Sequence, residues 1–336
     1  VANCSTYDNC YYLSGKNNNT GNATAVSSKE ELVGKFGTDY EGLYPYVPKF
    51  DNGDYQIGDL RAMKWFRDMV NNYLSVNARQ TAAIDLTGID WIPIGTYSNN
   101  FTGYYDGGWH DIDGINHPLF GVSYNAHFTR IAIESGTISP TVMGNGEVQT
   151  GSIVAQSWAS DVGSSTMTFC YSLATLTQDD TKYTRPDGTE VQSMDIGGLA
   201  GRYEGTMENC FFAGTISSTH TNNSVGGLIG ACGADNKTHL LKSYVDATIN
   251  ATNTYKGKFA GWFEKGGTIE YCVINNNCGI ADSDDGGPWA GTHTDATLAV
   301  LINTDDFSTG YDCWVLNKRT SESPTWYQTL GVDSYP

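Results

Sequence analysis

Five side chains with oxygen or imidazole ligands fall within one short stretch: Asp106, His110, Asp111, Asp113 and His117. Carboxylates and imidazoles grouped in this way are the ligand types of a divalent ion, so the stretch is a candidate metal site. The competing reading is a plain corner of the chain, in which Asp accepts backbone N–H bonds and His packs on its neighbours. A second acidic stretch, Asp282, Asp284 and Asp285, runs into two glycines and has the acidity of a calcium loop. It lacks the Glu that an EF-hand places at its twelfth position, which favours a solvated loop. Ca2+ is the ion that this acidity would suit, and no cofactor is otherwise expected. His-Glu-x-x-His, Gly-x-Ser-x-Gly, a phosphate-binding loop and Cys-x-x-Cys are all missing from the sequence, which argues against zinc-peptidase, serine-hydrolase and nucleotide chemistry.

Aromatic residues suggest binding instead. Tyr104, Tyr105, Trp109, Trp262 and Trp289, with Trp314 and Trp326, are candidates to lay flat faces against sugar rings, as planar apolar platforms with polar neighbours do. Polysaccharide-degrading chemistry would need carboxylates converging on one face. Here the acids are scattered, and the chain is expected not to be an enzyme. A formal net charge of −18 repels phosphate backbones and removes nucleic acid from the expected partners. No apolar run approaches the length of a membrane span.

The elements that must hold these residues come from internal repetition. Ile196-Gly197-Gly198-Leu199-Ala200-Gly201 precedes Asn209-Cys210-Phe211-Phe212, and Val225-Gly226-Gly227-Leu228-Ile229-Gly230 precedes Lys242-Ser243-Tyr244-Val245. A weaker copy runs from Lys258-Phe259-Ala260-Gly261 to Tyr271-Cys272-Val273-Ile274, and Phe169-Cys170-Tyr171-Ser172 and Arg130-Ile131-Ala132-Ile133 fit the second half of the unit. A period of about 30 residues suits one coil of a parallel β-helix, and about five coils are expected. Equivalent positions then stack at about 4.8 Å, and Ala132, Cys170, Cys210, Ser243 and Cys272 are expected to form an interior ladder. The paired glycines are read as corners. Upstream, the apolar spacing of Ile57–Val70 with Asp59 as N-cap predicts a helix covering the open end of the stack.

The string Ala83-Ile84-Asp85-Leu86, Trp91-Ile92-Pro93-Ile94-Gly95 and Phe101-Thr102-Gly103-Tyr104-Tyr105-Asp106-Gly107-Gly108-Trp109-His110 resembles the leading segment of bacterial surface proteins with GLUG repeats. Tyr105 stands where Phe is usual, Trp109 where Gly is usual, and Pro118 replaces the first Gly of the corner Pro118-Leu119-Phe120-Gly121. The resemblance covers about residues 55–275. It implies an all-β fold, a right-handed parallel β-helix with one N-terminal capping helix, and a role at the cell surface. Some members are adhesins and others are accessory regions of IgA-cleaving metallopeptidases.

The expected organisation is an N-terminal joint over 1–50, a capping helix over 51–80, a β-solenoid over 81–280 and a closing segment over 281–336. The expected function is an extracellular adhesion or structural module, with end-to-end filaments as one form of self-association. Host or matrix protein and glycan are the other partners, and a polysaccharide-binding or polysaccharide-degrading β-helix is the alternative. Eight cysteines fit an oxidising compartment, and the spacings Cys4/Cys10 and Cys272/Cys278 suit disulfides better than metal. Sequons at Asn3, Asn18, Asn22, Asn100, Asn222, Asn236 and Asn250 are compatible with glycosylation.

Overall fold

A computed structural model describes residues 46–144, 146–220, 223–232, 238–253, 255–263, 267–275, 277–280, 306–320, 322–334 and 336, together with strands at 11–13, 24–26, 289–290 and 297–304. The chain separates into two units, Val1–Val47 and Pro48–Pro336. In the first, the strands Tyr11–Leu13 and Thr24–Val26 pair in parallel.

The second unit is mostly β, with few helices and mainly parallel pairing. Segments one repeat apart pair with each other, so the strands fall into columns. One column runs through Tyr104–Asp106, His127–Thr129, Thr166–Thr168, Gly205–Glu208, Thr238–Leu241 and Thr268–Asn275. A neighbouring column joins Asp111–Asp113, Ala132–Ile133, Tyr171–Ser172, Phe211–Phe212 and Tyr244–Val245. Alternation along each strand sends one side chain in and the next out. Phe128, Met167, Met207, Leu240 and Ile269 therefore stack on consecutive rungs, all fully buried. Ile138, Leu176, Ile216 and Ile249 do the same on another face. Each such side chain contributes about 2 kcal/mol by leaving water. The stacking extends upstream to Ala78–Gln80 and Asp54–Ile57, which carry no repeat signature.

Helix α1, Leu60–Asn72, forms where its spacing predicts, with the Asp59 carboxylate accepting the Ala62 N–H at 2.7 Å. It buries Ala62, Met63, Phe66 and Val70. The Phe66 ring lies 5.6 Å from Tyr105, 5.8 Å from Phe101 and 6.4 Å from Phe120, so α1 covers the aromatic interior at that end of the stack. A second helix, α2 at Tyr311–Leu316, was not expected; it buries Val315 and Leu316 in a cluster with Tyr244, Val273 and Phe307.

Two sequence expectations change. The paired glycines do not sit in the left-handed region; they are required because segments one repeat apart approach too closely for a Cβ. One added at Gly198 would lie 2.2 Å from the Gly227 carbonyl oxygen and 2.3 Å from the Phe212 ring. Gly198→Ala is therefore expected to lower unfolding stability by about 2 kcal/mol, the usual cost of overpacking, read as a lower urea midpoint at unchanged slope. The ladder is also displaced by one residue at its top. Ala132 pairs with Tyr171, so the buried rung level with Cys170, Cys210, Ser243 and Cys272 is Ile131. An inward position and an outward one differ by a single residue in a strand, and all three residues Ile131–Ile133 are buried, which hid the register in the sequence.

Candidate functional site

The metal reading does not survive the side-chain geometry. Asp106 is buried and held by two guanidiniums, with Arg79 Nε at 3.2 Å and Arg130 making two contacts, one of them Nε to Oδ1 at 2.9 Å. It also accepts the Gly108 N–H at 2.9 Å. The Asp113 carboxylate accepts the Ser135 hydroxyl at 2.7 Å, and His117 faces Asp90 at 3.3 Å and the Ser139 carbonyl at 3.2 Å. Asp111 is exposed and His110 half-buried. No group of three or more His, Cys, Asp or Glu able to hold an ion occurs among the described residues. Asp106 is a structural anion between coils. Asp282, Asp284 and Asp285 lie outside the described residues.

The thiols are likewise structural. Cys170, Cys210, Cys232, Cys272 and Cys278 are buried as thiols, so the expected Cys272–Cys278 disulfide does not form. Burial pushes the Cys272 thiol up to about 12, where it is inert as a nucleophile. Cys4 and Cys10 lie outside the described residues, as do Asn3, Asn18, Asn22, Asn222 and Asn236. Of the remaining sequons, Asn250 is exposed on a strand. The Asn100 amide is half-buried and oriented to donate to the Thr96 and Tyr97 carbonyls.

Among the expected aromatic platforms, Tyr105 is fully buried and donates its hydroxyl to Gln80 at 3.1 Å, which removes it from any surface role. Tyr104 is exposed, and Trp262 is half-buried against Tyr255 at 5.0 Å. Trp289 enters only as a backbone partner of Ala260. Trp314 is exposed beside Tyr311 and Arg319, away from the others. Trp109 is the productive choice.

Trp109, Arg130, Phe169, Asn209, Lys242 and Tyr271 all have positive φ, between 44° and 63°. Each lies where the chain turns from the first strand column to the next. Asn tolerates this conformation; for a bulky side chain it costs about 1–2 kcal/mol. Two residues beyond Phe169, Asn209 and Lys242, the rings of Tyr171, Phe211 and Tyr244 stack nearly parallel at 4.7 and 4.6 Å, one ring per rung. Such ring pairs add roughly 0.5–1.5 kcal/mol each. The next rung upward is Ala132, and no ring stands there. Trp109 reaches over that rung and lies 6.3 Å from Tyr171 and 6.4 Å from Phe169. At the other end Trp326 packs edge-on against Tyr244 at 5.4 Å and donates its indole N–H to Asn209 at 3.1 Å.

These residues line an open groove of about 200 Å³, mostly apolar, with Trp109, Phe169, Tyr171, Asn209, Phe211 and Trp326 in its walls. Trp109 is 51% exposed and Phe169 36%. The Tyr171 hydroxyl donates to Glu134, and Asp111 is near enough to act on the same phenol electrostatically. Burial first, and then the Glu134 hydrogen bond, push that phenol's pKa up. The groove is thus an apolar slot with an acidic rim. Phe169, Tyr171 and Phe211 were not singled out from the sequence. The available signal was Phe169 itself, a large ring at the repeat position that Asn209 fills in the following coil.

A buried polar cluster lies elsewhere in the unit. Asp195 accepts hydrogen bonds from Ser224 and, at 3.1 Å, from Gln149, which also donates to Glu147 at 3.2 Å. Burial raises the Asp195 carboxyl above its ordinary value despite the Ser224 bonds. An acid raised on folding contributes stability below its unfolded pKa and loses it as pH rises through the folded one. The contribution of Asp195 is therefore expected to decline from acid pH toward neutrality, so the stability of Asp195→Asn relative to the parent is expected to rise over that range in paired melts. The variant's amide has a partner available, since the Gln149 carbonyl oxygen is buried without one.

No protein-family profile matches the sequence, and no curated protein matches it significantly. Solved structures resemble it, among them the following two. One is described as a "putative immunoglobulin A1 protease" from Bacteroides ovatus, at 16% identity and a TM-score of 0.44, with 81% of this chain and 89% of that one covered. Another, described as an IgA1 protease, has 15% identity and a TM-score of 0.41, with 76% of this chain and 22% of that one covered. At these scores the likeness transfers neither residue roles nor an activity. Both neighbours are described as proteases, which stands against the expectation that this chain is not an enzyme.

Among the described residues no helix is long and apolar enough to cross a membrane.

Proposed function

We propose that the chain is a bacterial cell-surface adhesion module, a right-handed parallel β-helix of the GLUG-repeat kind whose aromatic groove grips a protein partner. The handedness follows from the near-universal right-handed crossover between parallel strands. The columns of in-register parallel strands support the solenoid, and the Trp-x-Pro-Ile-Gly string and Gly-Gly-Leu corners support the repeat family. The observation that carries the function is the pair Trp109 and Phe169, bulky rings kept outward on left-handed backbone. Arg130, Lys242 and Tyr271 share this backbone conformation, so what distinguishes the pair is that two large rings stay exposed on the wall of an apolar groove.

The groove's chemistry describes its partner. Tyr171, Phe211 and Tyr244 use their faces on one another and offer only edges outward, so a sugar plane has no broad face to lie on there. A slot of about 200 Å³ suits a large apolar side chain. Glu134, Asp111 and the net charge of −18 favour basic neighbours around that side chain. Pre-stacked aromatic walls lose little entropy on binding, and Trp and Tyr dominate interface hot spots.

The test is surface plasmon resonance of the chain over immobilised extracellular-matrix proteins and mucin, at low and raised salt. Binding that weakens with salt and falls about 30-fold in Trp109→Ala is expected. A blank panel, or binding indifferent to Trp109, would sink the reading.

A further inference from the structure

On a different face of the same unit, a third column stacks Thr137–Ile138, Thr175–Gln178, Thr215–Ser218 and Thr248–Ala251. Its inward positions are the buried Ile138, Leu176, Ile216 and Ile249. The outward positions form two rows. Thr137, Thr175, Thr215 and Thr248 make one; Thr177, Ser217 and Asn250 make the other. Hydroxyl groups thus repeat at the strand spacing of about 4.8 Å along the stack.

One end of this face is closed by a hairpin. Lys182–Thr184 pairs antiparallel with the start of Glu190–Gly197 and raises Tyr183 beside the rows. Between hairpin and rows lies a groove of about 280 Å³, bounded by Ser139, Thr177, Asp179, Tyr183, Ser217 and Thr219. Its floor is fixed: Gln178 is buried, donates to Ser193 at 2.9 Å and Met194, and accepts from Ser218 at 2.8 Å. Thr181 holds the Asp179 carboxyl below its ordinary value through its hydroxyl and its N–H, so Asp179 is an ionised acceptor at neutral pH.

We propose that this groove binds a neutral oligosaccharide running along the stack. Thr177 and Ser217 of the second row supply hydroxyl partners with Ser139 and Thr219, Asp179 supplies a charged acceptor for sugar hydroxyls, and Tyr183 supplies an apolar surface for one ring. The rung spacing lets successive sugar units meet equivalent hydroxyls on successive coils. Asp179 and its neighbour Asp180 at the rim disfavour uronic-acid or sulfated chains. The side chains are pre-positioned by strands rather than by loops, which limits the entropy lost on binding. The site shares no residue with the aromatic groove and does not depend on the reading given to it.

The experiment is isothermal titration calorimetry of the full chain with neutral gluco-, manno-, galacto- and xylo-oligosaccharides, and with oligogalacturonate as the acidic comparator. At least one neutral series is expected to bind, with affinity reduced about tenfold by Tyr183→Ala and severalfold by Ser217→Ala, and unchanged by Trp109→Ala. Ser217→Ala removes one hydroxyl from an outward strand position and leaves the fold intact, so it decides the matter even if the hairpin variant misfolds. The proposal is overturned if no neutral series binds, if oligogalacturonate binds better, or if binding persists unchanged in Ser217→Ala and Tyr183→Ala. Weakened matrix-protein binding in Trp109→Ala with sugar binding retained would separate the two sites.

Discussion

Removing both outward rings in Trp109→Ala/Phe169→Asn is expected to weaken binding to a matrix-protein partner about 1,000-fold, the scale of two hot-spot side chains. The same double variant is expected to leave unfolding stability within about 1 kcal/mol of the parent. Two effects oppose each other at Phe169. Its ring is 36% exposed and touches Trp109, so part of its burial is lost. Its φ of 56° is strained for Phe and tolerated by Asn, so strain is relieved. Urea unfolding followed by circular dichroism checks the second half. A loss of about 3 kcal/mol or more would mean that the rings hold the fold together, and the reading of the groove as a binding face would fail.

Arg130→Met is expected to lower unfolding stability by about 3 kcal/mol, at the lower end of the range for breaking a buried ion pair. Asp106 keeps only 4% of its side chain exposed, and Arg130 makes both of its shorter guanidinium contacts. Arg79 remains at 3.2 Å after the substitution, which caps the loss, but its own side chain is 47% exposed and its share of the neutralisation is weaker. Arg79→Met is accordingly expected to cost about 1 kcal/mol, in the range of surface pairs. Comparison of the two midpoints decides the matter. Equal losses would mean that Asp106 is neutralised by both arginines alike and that the coil-to-coil contact carries no special weight.

The strand columns were legible because the signal that encodes them is local and repeated. Gly-Gly-Leu corners and the Cys-aromatic pairs return at a period that a stack of short strands needs, and the α1 helix announced itself through Asp59 and its apolar spacing. Tyr105 shows where this stopped. It reads as one member of an exposed Tyr-Tyr pair, yet strand alternation turns Tyr104 outward and Tyr105 into the interior under α1. Asp106 and His110 are close in sequence and read as ligands. The fold places Arg130 from the next coil against Asp106, and a residue 24 positions away fixes its role.

The sequence by itself determined the repeat, the all-β class and the α1 helix, because each depends on residue type and spacing within a few tens of positions. Tertiary structure alone decided the two grooves. Trp109, Tyr171 and Trp326, and equally Ser139, Ser217 and Tyr183, meet only because parallel coils bring distant segments into register, and a shift of one residue would turn each outward side chain into the core.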